Sequence, residues 1–182
     1  MGGRPRMTSS TNLVTTISGD ALAVGENTAV SGTISVTTTD VGPVTRSTAE
    51  ATFTATAQSP EGGDAYAVAD TTATADGADL LITHSTNITG TGDSSGLTTM
   101  IASSTSLFAL DIEAVDLPVG TISVEGATWH DDPCLTGIIE GNVATLDASA
   151  QAAGDNTLAE VDMSVMTTDV ISSVSASAIT IA

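Results

Sequence analysis

The segment Ala49-Glu50-Ala51-Thr52-Phe53-Thr54-Ala55-Thr56-Ala57 decides the fold class, because its side chains alternate between two kinds. Apolar residues occupy the odd positions, and threonine or glutamate occupies the even ones. Successive side chains of an extended chain point to opposite faces, so this period of two predicts a β-strand. Threonine suits such a strand because its β-branched side chain packs well on a pleated surface.

The same alternation recurs along the rest of the chain, between turn residues such as Gly42-Pro43 and Gly154-Asp155-Asn156. In the segment 104–115, Phe108, Leu110 and Ile112 alternate with other residues, which favours a strand over an amphipathic helix. The pattern predicts strands at residues 30–38, 49–57, 65–75, 80–88, 108–114, 121–127, 144–152, 159–165 and 174–181.

This series of short strands predicts an all-β protein, with a flexible basic arm at residues 1–12 and one domain at residues 13–182. The favoured architecture is an antiparallel β-sandwich or barrel-like domain of about nine to eleven strands. A β-solenoid is the alternative, although no period of ~20–50 residues persists along the whole chain.

The predicted core is built from small residues. Hydrophobic residues make up 41% of the chain, but aromatic residues make up only 2%, and alanine supplies much of the apolar content. A buried alanine contributes much less than the roughly 1.5–3 kcal/mol of a buried leucine or phenylalanine. We therefore expect either closely spaced sheets or a subunit interface that adds burial, and we favour the interface.

The net charge of −19 limits the classes of partner. Lysine is absent, and Arg4, Arg6 and Arg46 are the only cationic side chains besides the two histidines, so we expect no binding to nucleic acid or anionic membranes. No apolar run reaches the ~18–20 residues of a membrane-spanning helix, so membrane insertion is not expected. Basic residues without a following apolar segment predict no classical signal peptide, from either Met1 or Met7.

Two segments of the chain resemble each other. Residues 25–41 align without gaps with residues 154–170, and nine of the seventeen positions are identical. The alignment predicts a turn followed by a strand near both ends of the domain. Two such strands could lie side by side in one sheet, pair between subunits, or merely share a turn type.

Acidic residues supply the candidates for a metal site. Calcium prefers several hard oxygen ligands, and acidic loops between strands provide them. The candidate calcium ligands are Asp111, Glu113, Asp116, Asp131 and Asp132. The EF-hand pattern is absent, so solvated carboxylates remain the alternative and no other cofactor is predicted.

The residues 129–134, Trp-His-Asp-Asp-Pro-Cys, contain the densest set of reactive side chains. A structural zinc site needs four ligands, and His84 is the only histidine outside this set, so the sequence favours a turn at Asp131-Asp132-Pro133. His84 shares a predicted strand face with Leu80 and Ile82, which indicates a packed or interface histidine. No nucleophile motif accompanies either histidine or Cys134, so we predict no enzymatic activity.

Rows of threonines such as Thr52-x-Thr54-x-Thr56 resemble those of ice-binding β-solenoids. Those proteins repeat the row on every coil, and this chain does not.

The favoured function is a structural assembly subunit, most specifically a virion component that decorates a capsid or forms a fibre. Its partners would be further copies or a larger protein assembly. The alternative is a secreted or cell-surface adhesin or an extracellular filament subunit, stabilised by calcium.

Overall fold

The computed structural model describes residues 12–59, 63–92, 97–113, 120–125, 129–130 and 141–182. These residues form strands and turns and contain no helix. The strands are β1 (Val14–Val24), β2 (Asn27–Val41), β3 (Val44–Ser59), β4 (Tyr66–Asp76), β5 (Leu80–Gly92), β6 (Leu97–Ile112), β7 (Gly120–Glu125), β8 (Trp129–His130), β9 (Asn142–Ala153), β10 (Leu158–Thr167) and β11 (Ile171–Ile181).

The strands form two sheets that pack face to face as a β-sandwich. The smaller sheet has the order β10-β11-β1-β4 and is antiparallel throughout. The larger sheet has the order β7-β5-β6-β3-β2-β9, with the short β8 also beside β5. β10 lies over β9, β11 over β9 and β2, β1 over β2 and β3, and β4 over β3 and β6. The β-sandwich predicted from the sequence is confirmed, and the alternative prediction of a β-solenoid is wrong.

All nine predicted strands are present, and several extend beyond their predicted limits. The turn at Gly42-Pro43 is confirmed, because Val41 pairs with Val44 and Gly42 has a φ of 66°. β1 was not predicted, because Gly19 and Asp20 interrupt it and both residue types are rare in strands. The parallel pairings of β9 with β2 and of β7 with β5 were not predicted either. The predicted arm, except Asn12, lies outside the described residues.

The core between the sheets consists of small side chains, as the composition predicts. Val30, Ile34 and Val36 share the buried face of β2. Among the described residues, alanine supplies eleven of the nineteen buried hydrophobic side chains. Each alanine buries little surface, so this core derives its stability from many small contacts and a close approach of the sheets.

One large side chain, Phe53 on β3, fills the centre of this core and is fully buried. Its ring lies against two glycines, Gly32 on the neighbouring β2 and Gly19 on β1 of the opposite sheet. A methyl group at either glycine would collide with the ring. The two glycines therefore provide the space that the ring occupies. This explains why a glycine lies at position 19, inside β1.

Hydroxyl groups connect the two sheets around this centre. The hydroxyls of Thr28 on β2 and Ser172 on β11 lie 2.7 Å apart, and both side chains are buried. Towards the other end of the same strands, Thr38 Oγ1 lies 2.6 Å from Thr180 Oγ1. On the β4 side, Thr71 Oγ1 lies within hydrogen-bond distance of the hydroxyls of Ser103 and Thr105 on β6. Buried hydroxyls are costly unless they are paired, and these pairs satisfy each other across the sheets.

The chain ends of the described domain meet at one end of the small sheet. The Leu13 N–H donates to the Ala182 carbonyl at 2.8 Å, and the Ala182 N–H donates to the Leu13 carbonyl at 3.1 Å. β1 then pairs with β11 along its whole length, from Val14 opposite Ile181 to Val24 opposite Ile171. The small sheet therefore joins strands from the beginning and the end of the domain.

Substituting alanine at Gly19 or Gly32 should lower the free energy of unfolding by about 1–3 kcal/mol, because the added methyl group overpacks the Phe53 ring. Replacing Phe53 with leucine in the same chain should reduce that penalty, since the two sites are in contact and their effects are not additive. Chemical denaturation measures all three changes. Gly92→Ala is the matched control, because nothing lies within 4 Å of its added Cβ atom. A full penalty for Gly19→Ala in the Phe53→Leu background would contradict this account.

Two buried threonines should respond in opposite ways to valine. Thr15 Oγ1 is buried without a hydrogen-bond partner in the described part of the chain, so Thr15→Val should stabilise the fold by about 1 kcal/mol. Thr38 Oγ1 donates to Ser47 at 2.8 Å and also lies beside Thr180, so Thr38→Val should destabilise it by about 1–3 kcal/mol. Thermal or urea denaturation of the two variants provides the measurement. Equal losses of stability in the two variants would show that the hydrogen bonds of Thr38 do not stabilise the fold.

Candidate functional site

The outer faces of both sheets are mostly polar, and two shallow depressions lie on them. The depression on the small sheet has a volume of about 370 Å³ and is open to solvent. It is lined by residues of β1, β10 and β11: Ser18, Gly19, Asp20, Asp162, Met163, Ser164, Ser175, Ala176 and Ser177. A smaller one, of about 190 Å³, lies on the large sheet between β9, β2 and β3. Small-molecule pockets usually enclose most of their ligand and are mostly apolar. These two depressions are open to solvent, and their linings are largely polar.

The row of threonines at positions 52, 54 and 56 lies on the outer face of the large sheet. Thr52, Thr54 and Thr56 alternate with the buried residues of β3. Thr54 Oγ1 lies 2.6 Å from Ser31 Oγ on β2, and Thr52 Oγ1 lies 3.1 Å from Ser104 Oγ on β6. The hydroxyls of this face therefore bond to each other across neighbouring strands, which stabilises the sheet itself.

The apolar side chains of β6 lie on an unexpected face. Phe108, Leu110 and Ile112, whose alternation predicts the strand, lie on the outer face and are half-buried. The core face of the same strand carries Leu107 and Ala109. On the outer face, Phe108 and Leu110 are opposite Ile82 and Leu80 of β5. These side chains form an apolar patch at one end of the large sheet.

Exposed apolar side chains are most concentrated on β10, which forms one edge of the small sheet. Nine of its ten residues are exposed. Met163 is 58% exposed and Val165 is 51% exposed, although both lie on the face that points between the sheets. Leu158 and Met166 are about half exposed on the outer face. Long apolar edge strands invite pairing with another chain, and natural proteins usually block them with lysine, proline or inward-pointing charge.

β9 forms the edge of the large sheet directly below β10. Its core-facing residues include Ala144, Leu146 and Ala148, which are only partly buried. Neither strand has a neighbour on its other side within the described residues. We call the surface formed by β9 and β10 the open flank. On the opposite side of the sandwich, β5 and β7 extend beyond β4, so the two sheets do not end together there.

Of the candidate calcium ligands, the structure places Asp111 and Glu113 at the end of β6, and both Glu113 and the neighbouring Asp79 lie close enough to Asp111 to raise the pKa of its carboxyl group. Asp116, Asp131 and Asp132 lie outside the described residues. No group of three or more His, Cys, Asp or Glu side chains among the described residues is arranged to hold a metal ion.

Asp79 organises this carboxylate group. Its Oδ2 accepts the Ile112 N–H at 2.9 Å, its own N–H donates to the Leu110 carbonyl, and its carbonyl accepts the Gly120 N–H. Partial burial of Asp111 raises the pKa of its carboxyl group above the ordinary value of 3.8, and the negative charges of Asp79 and Glu113 raise it further. The group therefore repels itself at neutral pH.

The residues predicted to favour a turn lie mostly outside the described structure. Asp131, Asp132, Pro133 and Cys134 are not described, and residues 129–130 are described only as β8 beside β5. His84 lies on the same outer face of β5 as Leu80 and Ile82, as predicted. It is exposed, and its Nε2 lies 3.3 Å from Thr86 Oγ1, so it is not packed against the part of the chain that the structure describes.

The two similar segments occupy different sheets. Residues 25–41 contain β2 in the interior of the large sheet, whereas residues 154–170 contain β10 at the edge of the small one. The interpretation that they lie side by side is therefore wrong. Each of them leads into an antiparallel hairpin, β2 with β3 and β10 with β11.

The open flank was not predicted, although its strands were. Alternation identifies 159–165 as a strand, but it does not reveal whether another strand lies beside it or another sheet above it. The available signal is the inward-facing set Val161, Met163 and Val165, which contains no charge or proline to protect an edge.

No helix among the described residues is long and apolar enough to cross a membrane. Comparison of the chain with protein-family models, with curated proteins and with solved structures finds no match.

Asp111→Asn should stabilise the protein at pH 7, by up to about 1 kcal/mol, because it removes a charge that is partly buried and that Asp79 and Glu113 repel. The raised pKa means that the protonated form favours folding at low pH and that this contribution is lost as the pH rises through the folded-state pKa. The difference between variant and native protein should therefore shrink as the pH falls towards 3.8. Denaturation between pH 3 and pH 8 measures it.

Asp64→Asn is the control, because it removes the same charge at an exposed loop position and corrects for the general effect of a net charge of −19. An equal gain in both variants at pH 7 would contradict the local repulsion.

Proposed function

We propose that the protein is a non-enzymatic structural subunit that works by packing against other protein chains, and that its specific role is in a virion, as a capsid-decorating or fibre component. The observation that carries the proposal is β10, a ten-residue edge strand with exposed apolar side chains on both faces. A free edge of this kind supports association by strand pairing, in which main-chain hydrogen bonds supply affinity.

The composition of the core supports the same role. The small side chains between the sheets bury little surface each, and the chain has only one fully buried aromatic side chain among its described residues. Contacts with further subunits would add apolar burial to such a domain. Homo-oligomers commonly stabilise their subunits in this way, since binding to the folded state alone raises its stability.

The polar outer faces also suit a structural role. They carry many hydroxyls and carboxylates, and the shallow depressions on them are lined by serine, threonine and aspartate. The charge of −19 keeps such a surface soluble and disfavours contact with nucleic acid. These properties match a subunit that must remain soluble before assembly and bind only where an edge or an apolar patch is exposed.

The second candidate is a secreted or cell-surface adhesin, or an extracellular filament subunit, stabilised by calcium. It is favoured by one observation, the repulsion of the Asp111 carboxylate by Asp79 and Glu113 at the end of β6, although the described acidic side chains are not arranged to hold an ion. A bound divalent cation would neutralise that repulsion, and oxygen ligands of this type are those that calcium prefers.

Size-exclusion chromatography with light scattering tests the proposal, on the full chain at several concentrations, with calcium and with a chelator. The proposal predicts a species larger than the 18.0 kDa chain that grows with concentration, and negative-stain electron microscopy then gives its shape. A monomer under every condition would contradict it. Compaction or assembly only with calcium would instead support the adhesin or filament role.

A further inference from the structure

We propose that the open flank of β9 and β10 is the contact surface between two copies of this chain, related by a two-fold axis through the flank. The axis pairs β10 with β10 of the second copy and continues both sheets across the junction. This inference rests on the proposed structural function and names the partner and the surface.

The first argument is the likeness of β10 to β2. In the alignment of residues 154–170 with residues 25–41, Ala159, Met163 and Val165 correspond to Val30, Ile34 and Val36. The residues of β2 are 3%, 3% and 1% exposed, but Met163 and Val165 are 58% and 51% exposed. β10 therefore carries, towards the space between the sheets, the residue pattern of a fully covered interior strand.

The neighbouring strands of β2 and β10 support the same conclusion. β2 pairs with β3 on one side and with β9 on the other. β10 pairs with β11, which corresponds to β3, and no described strand occupies its other side. β10, whose inward-facing Met163 and Val165 correspond to buried residues of β2, thus has one described neighbour where β2 has two.

The shape of the flank favours a two-fold dimer over a head-to-tail chain of copies. β9 and β10 end together, one above the other, so a two-fold axis joins both sheets at once. A head-to-tail contact would set this flank against the opposite side of the sandwich. There β5 and β7 extend beyond β4, so only one of the two sheets could be continued.

The size of the flank is sufficient for a specific dimer. Strands of 10 and 12 residues in two layers span roughly 35 Å by 20 Å, at about 3.3 Å per residue and about 10 Å between sheets. That rectangle corresponds to about 700 Å² per copy and about 1,400 Å² in total, which is within the range of stable protein interfaces.

The charges on β10 allow one central register. When the axis passes through Met163, Val161 faces Val165 of the second copy and Asp162 faces Ser164 of the second copy, so no two carboxylates are opposed. When it passes through Asp162, the two Asp162 carboxylates face each other, and like charges directly opposite are destabilising. We therefore place the axis at Met163.

The experiment uses sedimentation equilibrium on the full chain and on Met163→Lys. Lysine introduces an inward-pointing charge at the centre of the junction, and the exposure of Met163 allows the monomer to fold. The expected result is a native dimer whose dissociation constant rises at least about tenfold in the variant. Salt should strengthen the native dimer, since it screens the repulsion between two chains of charge −19.

Two control variants carry the same change elsewhere. Val41→Lys alters an exposed residue at the β2–β3 turn, and Tyr66→Lys alters an exposed residue on β4, at the opposite edge of the small sheet. Both should leave the dimer unchanged. Dissociation by Tyr66→Lys would indicate a head-to-tail contact and overturn the inference.

Disulfide cross-linking tests the register in a Cys134→Ser background. Cysteine at position 163 should cross-link two copies under mild oxidation, because directly opposite residues have Cβ atoms about 4.5–5.5 Å apart, close to disulfide geometry. Cysteine at position 166 should not, since its two copies would lie about 20 Å apart along the strands. Cross-linking at 166 and not at 163 would overturn the register centred on Met163.

The outcomes separate this inference from the proposed function. Larger assemblies that persist in Met163→Lys, without cross-linking at 163, would overturn the flank as the interface and leave the structural role standing. A monomer at all concentrations and salt conditions would overturn both.

Discussion

The contact between the Phe53 ring and the glycines at positions 19 and 32 is the constraint on which the sandwich depends. The ring belongs to one sheet and fits against the backbone of the other, so it limits how closely the sheets can approach at their centre. Alanine fills most of the remaining space, and it can do so because the sheets are close. A larger side chain at either glycine position would change the separation of the whole core.

Threonine has two separate roles around this centre. On the core face, threonine and serine hydroxyls form hydrogen bonds between the sheets, as Thr28 and Thr38 do with residues of β11. On the outer face, the same residue types bond across neighbouring strands of one sheet, as Thr54 does with Ser31. The abundance of threonine therefore reflects both the stiffness of its side chain in strands and the pairing of its hydroxyl.

The sequence predicts the elements of this fold better than their neighbours. Alternation locates β2 and β3 because it is a local property, and it fails at β1, where Gly19 serves the distant Phe53 ring. Which strand lies beside which depends on contacts between remote parts of the chain, so the parallel pair of β2 and β9 was not predictable. The same limit applies to the candidate site: the segment 159–165 was identified as a strand, but its position at an open edge was not.

The pairing of β1 with β11 has a consequence for how the chain folds. The large sheet can form β2, β3, β5 and β6 through antiparallel pairs, of which β2 with β3 and β5 with β6 are close in sequence. β1 can pair with β4 early, but its other neighbour is the last strand of the domain. Contacts of such high sequence separation slow folding. During synthesis, β1 and β4 would remain without the second half of their sheet until β11 leaves the ribosome. The small sheet, which carries the open edge at β10, is therefore the last part of the domain to be completed.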